Sequence, residues 1–251
     1  MTGEPAAAAV IALLAGLGGT LVPALIARIP EPEPESVTQP DTDPAAEPQP
    51  DPEAEDPKEP YVEMAALPGL AWRSALAAAV AGGVIGWSVG WDWSLLFLTP
   101  LVPVSVALAI VDWRTRLLPT RVVGPSYALL IVLVLACFAI TRDGDDLARA
   151  GYGWAFAGGL FFLLWFIHPR GMGYGDVRLS GVLGIALGYL GWGQLVVGVY
   201  AAFLLGGFGG GLLSMLRIVE RKAFPFGPFM LIGALFGIAA GPEIWAHLGP
   251  G

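Results

Sequence analysis

Two aspartates, Asp112 and Asp176, are the residues of this 251-residue chain best suited to chemistry. Each lies at the edge of a long apolar run, where an ionisable group is costly enough to suggest a function. Two carboxyl groups held close together do not both ionise readily, so one of them keeps its proton. The ionised carboxylate can then activate water against a peptide carbonyl, while the protonated carboxyl polarises that carbonyl and assists the leaving amine. If the fold brings the two together, the pair predicts aspartic peptide hydrolysis with no metal or cofactor.

The same two aspartates have a structural alternative. Helix starts favour Asp, and a carboxylate near a membrane edge can pair with the guanidinium of Arg114, Arg116 or Arg178. Either aspartate alone fits this alternative as well as the catalytic one. Their occurrence together, beside a glycine-rich segment, favours the catalytic interpretation.

That segment holds Gly171, Gly173 and Gly175 at alternate positions before Asp176. Glycine adopts backbone conformations that are closed to other residues. We therefore expect the three glycines to form a site-shaping loop, which turns sharply at the membrane edge and lets the backbone approach a peptide.

The elements that must position these residues are membrane helices. The chain is 55% hydrophobic and only 14% charged, which excludes a soluble globular enzyme. Its apolar runs have about the length that an α-helix needs to cross a bilayer. The sequence predicts an all-α polytopic membrane helix bundle of about eight transmembrane helices, over residues 6–28, 71–91, 94–112, 121–141, 150–168, 177–191, 194–217 and 228–247.

Basic residues orient this bundle. With eight spans and an external N-terminus, eleven of the thirteen lysines and arginines fall at cytoplasmic ends, and only Arg142 and Arg149 fall outside. This asymmetry follows the positive-inside rule and predicts a multi-pass membrane protein whose basic loops are cytoplasmic. It places both aspartates on the cytoplasmic face.

Three units follow along the chain. Residues 1–29 are expected to be a retained transmembrane anchor, residues 30–68 a disordered cytoplasmic linker, and residues 69–251 the membrane catalytic domain. Twelve of the 21 acidic residues lie between Glu31 and Glu63, and ten prolines lie between Pro30 and Pro60. Such a composition cannot bury enough apolar surface to fold. The linker is interpreted as a spacer, with a docking tail as the alternative.

Other features predict no chemistry. The single cysteine, Cys137, excludes a disulfide framework and a thiolate zinc site, and the two histidines fall on opposite faces of the membrane. We expect no metal, no cofactor and no nucleic-acid partner. The glycine cluster at residues 206–211 lacks the ending of a phosphate loop and is interpreted as a helix-packing or hinge segment.

Three segments together give the chain a family resemblance. The first is an Asp followed by a basic stretch and a Leu-Pro pair, from Asp112 to Pro119. The second is Gly-Tyr-Gly-Asp, ending at Asp176, and the third is Phe-Pro-Phe-Gly-Pro-Phe at residues 224–229. In this order the segments resemble those of the type IV prepilin peptidases, a family of membrane aspartic endopeptidases. The likeness covers roughly residues 71–248.

The resemblance implies a location in a bacterial plasma membrane, a reaction and a set of residues. Asp112 and Asp176 would be the catalytic pair, which removes the leader peptide from prepilins or pseudopilins after a glycine and before the apolar segment. Substrate or structural support would come from Pro119, Arg178, Pro225, Gly227 and Pro228. The chain departs from the family at Thr120, where Asp or Asn is frequent, and at Arg178, where Lys is frequent.

The larger departure concerns the segment between the first two spans. Bifunctional members carry a cysteine-paired domain there, associated with N-methylation of the new pilin terminus, whereas this chain has a cysteine-free linker. A short-form peptidase without methyltransferase activity is therefore expected. A proton-coupled membrane transporter and an inactive pilus-assembly scaffold remain as alternatives. The sequence leaves the native substrate and the oligomeric state open.

Overall fold

A computed structural model describes residues 4–31, 59–169, 172–215 and 225–248 of the chain, with the backbone alone over residues 208–215. Within these ranges all regular structure is α-helical, which confirms the predicted all-α bundle. The helices in chain order are α1 (Pro5–Gly19), α2 (Val22–Ala27), α3 (Tyr61–Ala65), α4 (Leu70–Val89), α5 (Leu95–Thr115), α6 (Thr120–Thr141), α7 (Gly144–Ile167), α8 (Tyr174–Leu190), α9 (Trp192–Met215) and α10 (Gly227–Leu248).

Six segments of the described chain are long and apolar enough to cross a membrane. They are the combined α1 and α2, and α4, α5, α6, α7 and α10. Helix α8 has only 17 residues, and the apolar part assessed in α9 is Trp192–Gly207. The polytopic architecture is thus confirmed, while the count of eight spans stays a prediction.

Glycines bring the helices together in pairs. The closest pairs are α1 with α4, α7 with α8 and α9 with α10. In each, a β-carbon added to a glycine would collide with the facing helix: Gly82 with Ile11, Gly153 with Gly184, and Gly237 with Gly198. Small residues allow such close approach, and within a membrane van der Waals packing of this kind is a main source of helix association.

Side-chain contacts identify the two ends of the bundle. At one end, which we call the site end, Asp112 in the last turn of α5 meets Gly227 at the start of α10. The starts of α6 and α8 meet there through Thr120 and Arg178. The structure therefore places both aspartates at the same end, as the alternation of spans requires.

Contacts at the opposite end follow the same alternation. The thiol of Cys137, near the end of α6, donates to the carbonyl of Trp93 before α5. Arg149, in the second turn of α7, donates to the carbonyl of Tyr189 at the end of α8. These contacts place α5, α6, α7 and α8 in successive antiparallel order.

Part of the predicted linker is folded. Residues 61–65 form α3, in which Tyr61 and Met64 are buried. Glu31 accepts a hydrogen bond from the backbone N–H of Val62, so the chain returns to its point of departure from α2. The prediction of a disordered linker over 30–68 is wrong for these residues, because two apolar side chains one turn apart suffice to bury a single helical turn. Residues 32–58 lie outside the described residues.

Candidate active site

Asp112 occupies the last turn of α5 and is only 4% exposed. Its Oδ2 accepts a hydrogen bond of 2.9 Å from the backbone N–H of Gly227, the first residue of α10. The first N–H groups of a helix have no partner within the helix and carry a partial positive charge. Asp112 supplies one of these partners across the bundle, and in return α10 fixes the orientation of its carboxyl group.

Only glycine fits at position 227. A β-carbon there would lie 2.8 Å from Oδ2 and 3.2 Å from Cγ of Asp112. Pro228 follows in the first turn of α10, where a proline costs no hydrogen bond because its N–H would have no intrahelical partner. Pro225 precedes this turn, outside the helix. Of the predicted support residues, Gly227 thus contacts the carboxyl of Asp112, while Pro225 and Pro228 lie within two residues of Gly227 in the chain.

An aromatic cluster anchors the same segment from the other side. The ring of Phe226 lies 5.9 Å from that of Phe161 in α7 and 5.8 Å from that of Phe203 in α9. The ring also packs onto Gly206, where a β-carbon would collide with it. Gly206 therefore has the packing role predicted for the glycine cluster. Through Phe226, this contact also sets the position of the neighbouring Gly227.

Asp176 lies in the first turn of α8 and is 7% exposed. Its Oδ2 accepts a hydrogen bond of 3.2 Å from the backbone N–H of Gly173, the residue that caps this helix. The expected structural alternative therefore describes a real contact of Asp176. It does not exclude chemistry, because this contact uses only one of the two carboxyl oxygens.

The glycines before Asp176 act differently from expectation. Gly173 has a φ of −70°, which any residue adopts, and Gly175 lies within α8. A β-carbon at Gly175 would lie 2.7 Å from Cβ of Leu118. The expectation of special backbone conformations is wrong for these two glycines: Gly175 instead permits close packing of α8 on the loop after α5. Gly171 lies outside the described residues.

The loop between α5 and α6 presents Leu118 to α8. Arg116 ends α5 with a left-handed φ of 56°, and its backbone N–H donates to the carbonyl of Asp112 at 2.8 Å. Pro119 then caps α6, and its carbonyl accepts hydrogen bonds from the N–H groups of residues 122 and 123. Pro119 is therefore a structural support that begins α6 beside the start of α8.

The nearby arginines have other partners. The Nη1 group of Arg114 donates to both carboxylate oxygens of Glu59, at 2.7 and 3.0 Å. Arg178 donates to the hydroxyl of Thr120 and stacks over the ring of Tyr174 at 4.6 Å. Among the described residues, no arginine forms an ion pair with either aspartate, so the expected pairing alternative is not observed. Arg178 joins the starts of α6 and α8.

A second support reaches α5 from α3. The hydroxyl of Thr115, which donates to the carbonyl of Val111, lies near the phenol of Tyr61, and both residues are 3% exposed. Burial raises the pKa of Tyr61 above its ordinary value of 10.0, so the phenol stays neutral. Together with the pairing of Glu59 and Arg114, this contact braces the turn of α5 that carries Asp112. An apolar pair, Tyr61 and Met64, was the available sequence signal.

The two aspartates approach each other closely enough to interact electrostatically. Within the described residues, each accepts one backbone N–H through Oδ2, and no hydrogen bond reaches either Oδ1. A water between two such carboxyl groups could lose a proton to one while the other donates to a carbonyl oxygen. No group of three potential metal ligands occurs in the described part of the chain.

Comparison with known proteins agrees with the motifs. Residues 99–213 match the family model described as the type IV leader peptidase family. The resemblance to the type IV prepilin peptidases is therefore confirmed over the region that holds both aspartates. No solved structure matches the chain.

Curated relatives share the same description, "Prepilin leader peptidase/N-methyltransferase". The protein of Aeromonas hydrophila is 30% identical over 162 residues, which are 61% of this chain and 52% of that protein. The protein of Pseudomonas putida is 31% identical over 157 residues, 60% of this chain and 52% of its own length. That of Escherichia coli K12 is 30% identical over 138 residues, 53% of this chain and 58% of its own length. The chain spans about half the length of these relatives.

Proposed function

We propose that this chain, whose residues 99–213 match the type IV leader peptidase family, is a membrane aspartic endopeptidase that removes the leader peptide from prepilin or pilin-like precursors. One observation carries the proposal: two carboxyl groups from different helices, Asp112 and Asp176, lie buried at the same end of the bundle, each held by one backbone N–H and with no arginine paired to either among the described residues. The names of the relatives supply the substrate class.

The two carboxyl groups divide the reaction between them. The ionised one takes a proton from water as the water oxygen attacks the carbonyl carbon, and the protonated one donates its proton to the carbonyl oxygen. In the resulting tetrahedral intermediate the C–N bond breaks, and the amine leaves with a proton from the first carboxyl. The second carboxylate takes back a proton from one hydroxyl group of the intermediate as the new carboxylic acid forms, which restores the starting protonation of the pair. The hydrogen bonds from Gly227 and Gly173 hold the two Oδ2 atoms, which leaves each Oδ1 for water or substrate.

Cleavage at the cytoplasmic membrane face belongs to the same proposal. The site end carries Arg28, Arg73, Arg114, Arg116 and Arg121, whereas the opposite end carries Arg142 and Arg149. Basic residues favour the cytoplasmic side of a membrane protein. This distribution supports a substrate that presents its leader from the cytoplasm.

We further propose that the chain lacks N-methyltransferase activity, in contrast to the description of its relatives. The segment between α2 and α4 contains no cysteine, and Cys137 is buried within α6. Mass spectrometry of the new N-terminus of a cleaved precursor tests this point. An unmethylated terminus is expected, and a methylated one formed by this protein alone would contradict it.

A transporter is less well supported. Proton and ion pathways require polar or ionisable groups in the middle of the membrane. In the described helices, the Asp, Glu, Lys and Arg side chains lie within about two turns of a helix end, and both site aspartates lie at the same end. The relatives, moreover, are described as peptidases rather than transporters.

The decisive experiment compares leader removal by the wild type with that by Asp112→Asn and Asp176→Asn. Asp143→Asn is the matched control, because Asp143 caps α7 at the opposite end through two backbone N–H groups and Asn caps helices equally well. A gel shift and N-terminal sequencing of a co-expressed pilin-like precursor report cleavage. We expect both site variants to abolish cleavage and the control to retain it.

Cleavage that survives in either site variant would contradict the catalytic pair. A different outcome would favour the inactive scaffold. In that case the wild type inserts well but cleaves no precursor, and the wild type and both Asn variants support pilus assembly equally.

A further inference from the structure

An apolar groove runs into the bundle between α4, α5, α6, α8 and α10. Its volume is about 280 Å³. Small side chains on four of these helices leave this space: Ala81, Ala109, Ala186 and Ala234. The lining is aliphatic apart from two serine side chains, and the hydroxyl of one of them, Ser126, donates to the carbonyl of Val122.

One end of the groove adjoins the two carboxyl groups. Ala109 lies three residues before Asp112 on α5, and Leu179 lies three residues after Asp176 on α8. Residues three apart on a helix are neighbours on one face. Pro228, which follows Gly227, lines the groove as well. The three segments that position the carboxyl groups therefore also form the near end of the groove.

The groove extends from this end toward the interior of the membrane. On α5 its lining residues run from Leu98 to Ala109, which at the rise of an α-helix covers about 17 Å, or roughly half of a hydrocarbon core. Ile232 on the rim is 54% exposed, so the groove opens sideways toward lipid. A dry apolar space of this size attracts an apolar occupant rather than water.

We propose that this groove receives the apolar membrane segment that follows the scissile bond of the substrate. The inference rests on the proposed peptidase function and adds the part of the enzyme that engages the substrate within the bilayer. A chain whose scissile bond lies at Asp112 and Asp176 and which continues into the membrane must pass the near end of the groove. By holding this segment, the groove determines which peptide bond of the substrate reaches Asp112 and Asp176.

The test fills the groove and compares two substrates. Ala81→Leu on α4 and Ala109→Leu on α5 place larger side chains in it, while Ala155→Leu adds the same atoms to an exposed face of α7. One substrate is a full-length pilin-like precursor in lipid vesicles, and the other is a water-soluble peptide that spans the leader junction but lacks the apolar segment. Thermal unfolding of each variant monitors folding.

We expect each groove variant to lower kcat/KM for the full-length precursor about tenfold or more relative to kcat/KM for the peptide. The control variant should change neither. If a groove variant lowers kcat/KM equally for both substrates, or does not lower kcat/KM for the precursor, the proposed role of the groove is wrong. The proposed peptidase function is unaffected by either result. A wild type that cleaves neither substrate would overturn the proposed function itself.

A photo-crosslinker in the apolar segment of the precursor gives a direct readout with the Asp112→Asn variant, which should bind without cleaving. Adducts on α5 or α10 residues of the groove support the proposal. If a diazirine-labelled lipid labels these residues and excess precursor does not displace it, the groove is a lipid site and the proposal is wrong.

Discussion

The backbone N–H of Gly227 donates a 2.9 Å hydrogen bond to Oδ2 of Asp112, a residue 115 positions earlier in the chain. This contact joins two of the three motifs and leaves no room for a β-carbon at position 227. It follows that Gly227, in the Phe-Pro-Phe-Gly-Pro-Phe segment, acts by holding the carboxyl group of Asp112, which begins the first of the three segments. Several measurable consequences arise from this and the neighbouring contacts.

Gly227→Ala should disable cleavage while the protein still folds. Its β-carbon would lie 2.8 Å from Oδ2 of Asp112, so the carboxyl group or the start of α10 must shift. Misplacement of a catalytic group by about 1 Å can cost roughly a hundredfold in rate. The measurement is the rate of leader removal at matched membrane abundance.

Gly124→Ala is the control for that substitution, since a β-carbon at Gly124 in α6 meets nothing within 4 Å. It should leave the rate unchanged. Wild-type cleavage by Gly227→Ala would show that the hydrogen bond does not position Asp112.

Gly175→Ala should separate α8 from the loop after α5 and weaken cleavage. The added methyl would lie 2.7 Å from Cβ of Leu118, a contact that backbone movement alone can relieve. Because Asp176 is the next residue, its carboxyl moves with the helix start. Leu118→Gly removes the opposing β-carbon and should restore much of the rate in the double variant. Failure of this rescue would mean that Gly175 matters for another reason.

Two adjacent glycines of α9 should differ in their effects. A methyl at Gly206 collides with the ring of Phe226, whereas a methyl at Gly207 meets nothing within 4 Å. Overpacking of this kind typically costs about 1–3 kcal/mol, and here it displaces the residue next to Gly227. We expect Gly206→Ala to lower both thermal stability and cleavage, and Gly207→Ala to lower neither. If the two variants have equal stability and cleave equally well, Phe226 does not support the position of Gly227.

The capping role of Asp176 and its proposed catalytic role can be separated. The amide oxygen of Asp176→Asn can still accept the hydrogen bond from Gly173, so stability should stay near that of the wild type while cleavage disappears. Asp176→Ala also loses the cap and should be less stable than the Asn variant by about 1 kcal/mol. Thermal unfolding and cleavage assays on the same preparations measure both effects. Cleavage by the Asn variant would identify Asp176 as a structural residue only.

The brace from α3 should contribute to stability through burial more than through charge. Tyr61→Ala removes a side chain that is only 3% exposed, at a cost of about 3 kcal/mol or more. The ion pair of Glu59 with Arg114 is partly exposed, so Glu59→Gln should cost less than about 1 kcal/mol. Val62→Ala is the control, because Val62 is 60% exposed. Chemical or thermal unfolding ranks the three, and a Glu59 effect larger than that of Tyr61 would reverse this assignment.

Local sequence determined the helices and the identity of the two aspartates. Apolar runs of membrane length predict spans because backbone groups in lipid must be paired within the helix, and the alternation of spans placed both carboxyl groups at one end. The same local reasoning did not predict that Tyr61 is buried. A single buried helical turn inside an acidic, proline-rich segment changes the average composition of that segment too little to be noticed. It also attributed Gly175 to a need for special backbone conformations. The structure instead shows that a β-carbon there would collide with Leu118, which lies 57 positions earlier in the chain.

Only the tertiary structure decided what holds the carboxyl groups. The hydrogen bond from Gly227, the aromatic contacts of Phe226 and the brace from Tyr61 each join residues far apart in sequence, so no local pattern specifies them. The groove beside the carboxyl pair is likewise a property of five helices packed together, since alanines in a helix leave a cavity only where their neighbours fail to fill the space. Sequence therefore determined which residues could react, and packing determined how they are oriented.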